Sequence, residues 1–153
     1  MEYRTILLKT AISAIASDGV VDDREIEALY RIEKKSKYFA SSDLEQLLKA
    51  DLELCMANID KYFTSTLDSI SSESLNIAQE LELLEISFRI IHADGILAIK
   101  EERFIKQLRA VLQVNDLVIA QRFGEIKSLG IAAPYEIIDN DENDEIIDIK
   151  DGK

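Results

Sequence analysis

Two Asp-Gly turns, 76 positions apart, carry acids at matched places. The first reads Asp18-Gly19-Val20-Val21, with Glu25 following; the second reads Asp94-Gly95-Ile96-Leu97, with Glu101 following. Two aspartates and two glutamates form an all-oxygen, hard donor set. Brought together, they suit Ca2+, Mg2+ or Mn2+ better than zinc. An Asp-Gly with a Glu six residues after the Gly is also the second half of an EF-hand loop, where the Gly bends the chain and the Glu is bidentate. The two earlier ligand positions of such a loop fall on Ala14 and Ala16 in the first copy, and on Ile90 and His92 in the second. Most of these are apolar, so neither turn is an EF-hand. A cation must draw on both copies or fill its shell with water.

The same residues also have a purely local use. Gly19 and Gly95 can close the preceding helices in a left-handed conformation, and Asp18 and Asp94 can accept backbone N–H groups within the turn. Asp22-Asp23-Arg24-Glu25 has capping-box spacing. The second copy lacks the cap side chain, because Ala98 and Ile99 stand where Asp22 and Asp23 stand in the first. On this reading Glu101 is left needing another role.

The elements that must position these acids are helices. Tyr3, Ile6, Leu7, Ala11, Ala14 and Ile15 share one face of a first helix that stops at Asp18-Gly19. Ile26, Leu29, Tyr30 and Ile32 carry a second helix. Ser42-Asp43-Leu44-Glu45 resembles a capping box that opens a long third pattern reaching Phe63. The serine-rich stretch from Ser65 to Ser74 reads as a loop or a new start, and as the seam between halves. Ile77, Leu81, Leu84, Phe88 and Ile91 lead into Asp94-Gly95, and Phe104, Ile105, Leu108, Val111 and Leu112 follow it. Asn115-Asp116 caps a last helix that is expected to end near Gly130. The fold class is therefore all-α: about six or seven helices in a compact bundle built from two helix-turn-helix repeats.

Residues 1–134 are expected to form this domain, with the lone proline, Pro134, at its end, and residues 135–153 an acidic, disordered tail. The tail holds eight acids against two lysines, half of the net charge of -12. Its run from Asp139 to Asp144 imitates the start of a calcium loop but has Asp144 where glycine is required. So acidic a chain is a poor partner for nucleic acid or anionic membrane, and suits cations or basic protein surfaces. No apolar run is long enough for a transmembrane segment and no signal-peptide pattern opens the chain, so a cytoplasmic location is expected. One histidine, His92, and one cysteine, Cys55, provide no catalytic triad, no disulfide framework and no zinc ligand set. Cys55 falls on the apolar stripe of the third pattern and reads as a core thiol. His92 is either a helix-end residue or a contributor to a cation shell.

The run from Ala14 to Glu25, answered by Ile91-His92-Ala93-Asp94-Gly95-Ile96-Leu97 and Glu101, resembles the TerB tellurite-resistance family over roughly residues 5 to 130. That resemblance implies a duplicated helical fold with an acidic face; no enzymatic activity follows from it, and none is expected. It further implies divalent-cation binding within stress, tellurite-resistance or phage-defence systems, through protein partners. Carried onto this chain, the acidic positions are Asp18, Glu25, Asp94 and Glu101. A structural adaptor is the alternative: the acidic surface and tail dock a basic protein without metal, and the turns only shape the fold.

Overall fold

The computed structural model describes residues 2–35, 44–94 and 98–133, with the side chains of Lys35 and Asp94 outside that description. Seven α-helices run through the described residues: α1 (Tyr3–Ala16), α2 (Asp23–Lys35), α3 (Leu44–Ala57), α4 (Ile59–Ser72), α5 (Ile77–Ile91), α6 (Ile99–Ala110) and α7 (Asp116–Phe123). The fold is all-α. The chain divides into two units, Met1–Leu112 and Gln113–Lys153. No described helix is long and apolar enough to cross a membrane. The Ser42-Asp43 cap, Pro134 and the acidic tail lie outside the described residues.

α1 is the axis of the first unit. Its sequence allows more than the single apolar face expected of it, because Thr10, Ala11, Ser13, Ala14 and Ala16 are small and let neighbours approach on every side. All are buried, together with Ile6, Leu7, Ile12 and Ile15. Thr10 satisfies its hydroxyl locally, donating to the Ile6 carbonyl at 2.8 Å. α3, α4 and α5 pack around this helix. α5 begins with a full capping box, in which Gln79 N–H donates to Asn76 Oδ1 at 2.8 Å and Asn76 N–H to Gln79 Oε1 at 3.0 Å.

The third pattern is two helices rather than one. Asn58 breaks it and caps α4 by accepting from Lys61 N–H at 3.1 Å. α4 then runs straight through the serines that read as a loop. Ser69 and Ser72 turn their hydroxyls onto the carbonyls of Ser65 and Ser69, at 3.0 and 3.1 Å, while Tyr62, Thr66 and Ile70 bury the helix face. Asp51 ties three helices together: Tyr62 donates its hydroxyl to Asp51 Oδ2 at 3.0 Å, and Lys9 Nζ meets the same oxygen at 3.3 Å. Lys9 also lies 5.0 Å from the centroid of the Tyr62 ring.

Within the second unit, Asn115 caps α7 by accepting from Val118 N–H at 2.9 Å. The helix stops at Gly124, six residues short of the expected Gly130, because Gly124 takes φ +80, a conformation that side chains resist. Gly130 closes a separate short 3-10 turn, inside the bridge between Ile126 and Ile131.

Candidate functional site

The first acidic turn is built from local bonds. Gly19, at φ +84, donates its N–H to the Ala16 carbonyl at 2.9 Å and closes α1. Asp18 Oδ1 accepts Val20 N–H at 2.9 Å. Asp22 Oδ1 accepts Arg24 N–H at 2.7 Å, and the Arg24 guanidinium, 3.2 Å from Oδ2, holds the Asp22 carboxyl below the usual range. The second turn begins with a 3-10 turn, His92–Asp94, that packs against α2. Gly95, Ile96, Leu97 and the Asp94 side chain lie outside the described residues.

The two glutamates occupy equivalent places in the first turns of α2 and α6. Glu25 Oε1 accepts Asp22 N–H at 3.4 Å, and Glu101 Oε1 accepts Ala98 N–H at 2.8 Å. Glu101 therefore performs the reach-back half of a capping box without needing a side chain at position 98. Local capping explains more of the second copy than Ala98 suggested.

Capping does not explain the burial. Glu25 and Glu101 are each only 1% exposed, where a capping glutamate ordinarily stays in solvent. Their side chains meet: the Glu101 carboxyl lies within hydrogen-bonding reach of the Glu25 carboxyl and adds its charge there. The Glu25 carboxyl is pushed up to about 8, first by burial, then by this bond, and then by the Glu101 charge. The Asp22 N–H opposes the shift, and the Asp18 charge adds to it. Glu25 Oε2 is fully buried and has no hydrogen-bond partner among the described residues.

Of the four acids expected to converge, then, Glu25 and Glu101 are together and Asp18 is near enough for its charge to act on Glu25. His92 is exposed and stacks on Phe88, with ring centroids 6.3 Å apart. Among the described residues, no three His, Cys, Asp or Glu side chains gather closely enough to hold an ion by themselves. Chemically, the arrangement is a buried carboxyl pair: it can share a proton, or offer hard oxygens to a cation.

Comparison with known proteins adds a family. The model of the tellurite resistance protein TerB family matches residues 5–122. Neither curated proteins nor solved structures give a match. The matched span covers helices α2 to α6, both acidic turns and the buried glutamate pair, and most of α1 and α7. The chain belongs to the TerB tellurite-resistance family.

Proposed function

We propose that this domain is a non-enzymatic divalent-cation-binding module that acts through protein partners in a bacterial stress, tellurite-resistance or phage-defence system. The observation that carries this reading is the Glu25–Glu101 pair, two carboxyl groups buried against each other with no cationic side chain among the causes acting on Glu25. Burying a charge without compensation costs several kcal/mol. A bound Ca2+, Mg2+ or Mn2+ would supply the positive charge the pair lacks. Glu25 Oε2, buried and without a partner among the described residues, suits a hard cation. Glu25 and Glu101 would be the central ligands, with Asp18 and Asp94 on the turns and water completing the shell. Both glutamates keep Oε1 on a backbone N–H, which holds the side chains in place.

The matched chain order, α1–turn–α2 and α5–turn–α6, supports reading the domain as duplicated, with one glutamate from each half. The adaptor reading draws instead on the net charge of -12 and the eight acids after residue 134. Isothermal titration with each of the three cations, repeated on a Glu25→Gln/Glu101→Gln variant, separates the two. Heat in the parent that is lost in the variant supports the cation site. Absence of heat with all three ions leaves the adaptor.

A further inference from the structure

A groove of about 600 Å³ lies within the first unit, lined by the turn after α1, the junction of α3 and α4, and α6. Met56, Ile59, Phe63 and Leu67 form an apolar strip within a lining that is otherwise largely polar. Phe63 is held in place by Phe104 beneath it, at 5.3 Å between ring centroids, and Phe104 is buried. Met56, 39% exposed, adds a flexible thioether that can adapt to what enters.

One lip is cationic. Lys100 and Arg103 are three residues apart on α6, on one face, and both are exposed. Neither has an ion pair or hydrogen bond among the described residues, whereas Lys106 on the same helix meets Glu102 at 3.7 Å. Gln107 continues the row with a neutral polar group. Asp60, at the α4 end, is the one acid among the groove residues, so the groove is net positive on a chain of net charge -12. Unneutralised cations beside an apolar strip, on an otherwise acidic protein, define the complement: carboxylates next to aliphatic or aromatic side chains.

We propose that this groove docks an acidic, amphipathic segment of a partner protein, its apolar residues on Phe63, Leu67 and Met56 and its carboxylates on Lys100 and Arg103. The charge complementarity fixes orientation and excludes basic segments, and the apolar strip adds affinity. The groove borders the candidate cation site, since Ser17 and Gly19 flank Asp18 and Lys100 precedes Glu101, but none of the four acids is among its lining residues.

The test uses the full chain and labelled helical peptides of about 16 residues, roughly four turns. One peptide has Leu on one face and Glu on the other, a second has Gln for Glu, and a third has Lys for Glu. Fluorescence anisotropy should show saturable binding of the Glu peptide, weakened about tenfold or more by Lys100→Glu/Arg103→Glu and by the Gln peptide. Both substitutions are at exposed positions, and an unchanged melting temperature checks that the variant folds. The backbone amides of Thr64, Leu67 and Gln107 should shift in NMR spectra of the parent. No saturable binding of the Glu peptide, binding that survives the charge reversal, or the same amide shifts with the Lys peptide would each overturn the proposal.

Discussion

Asp22 and Ala98 stand at the same place before α2 and α6, and each donates its backbone N–H to a glutamate three residues on. Only Asp22 also uses its side chain, Oδ1 accepting from Arg24 N–H. Ala98 has the extended backbone of a cap, φ -76 and ψ 155, but no side chain to accept. Ala98→Ser should therefore stabilise the protein by about 1 kcal/mol. For a domain of this size that is a rise of roughly 2–4 °C in Tm, read by calorimetry. A fall would show that position 98 is constrained by more than capping.

The buried pair makes metal-free stability depend on pH. Folding raises the Glu25 carboxyl to about 8, while the unfolded chain returns it to about 4.3. The folded state binds this proton more tightly, so its stabilising contribution is complete below the unfolded value. It is lost as pH rises towards 8. In the presence of chelator, Tm should fall across that window, and Glu25→Gln should flatten the decline. Parallel profiles for parent and variant would mean that Glu25 does not carry the effect.

Divalent cations should reverse the loss. Saturation at about 100 times Kd adds roughly 2.7 kcal/mol, or a rise in Tm of roughly 5–10 °C at about 2–4 °C per kcal/mol. Thermal shift assays with Ca2+, Mg2+ and Mn2+ check this. The Glu25→Gln/Glu101→Gln variant should show no rise, and should start from a higher metal-free Tm because its carboxyl repulsion is gone.

Tyr62→Phe removes one of the two polar ties on Asp51 and leaves Lys9 in place. Hydrogen bonds to charged groups contribute about 1.5–3 kcal/mol. Partial exposure of this one places the expected loss near the lower figure. Denaturant unfolding should show a lower midpoint with an unchanged slope.

Gly124→Ala tests the end of α7. The glycine meets nothing within 4 Å of an added Cβ, so any cost is conformational, from φ +80 with ψ -158. That region is almost restricted to glycine, and the expected loss is about 1–3 kcal/mol. A neutral result in thermal unfolding would mean that the chain leaves α7 by another route at little cost.

Much of the architecture was legible because it is written in local spacing. The apolar rows of α2, α5 and α6, and the Asp-Gly that stops α1, need no knowledge of the rest of the chain. The serines of α4 and the stop at Gly124 were not legible in this way. A serine hydroxyl bonds to its own helix only once that helix is held by packing, and Phe123 and Ile126 continue a helical spacing that the chain itself abandons. The glutamates of the candidate site were visible as a repeat, but their burial was not. It depends on two helix starts, 76 positions apart, turning towards each other. Nothing in the local spacing around Lys100 and Arg103 reveals the groove they line, because it exists only once α4 lies beside α6.

Cys55 is fully buried in α3, and burial among its neighbours pushes its thiol up to about 11. At neutral pH roughly one molecule in ten thousand would carry the thiolate, the form that reacts with alkylating agents and disulfides. Ionisation and access both shield it. The native sulfur is therefore expected to react far more slowly with maleimide than a cysteine introduced at an exposed position such as Gln107, which would take a spectroscopic label without the parent thiol being removed.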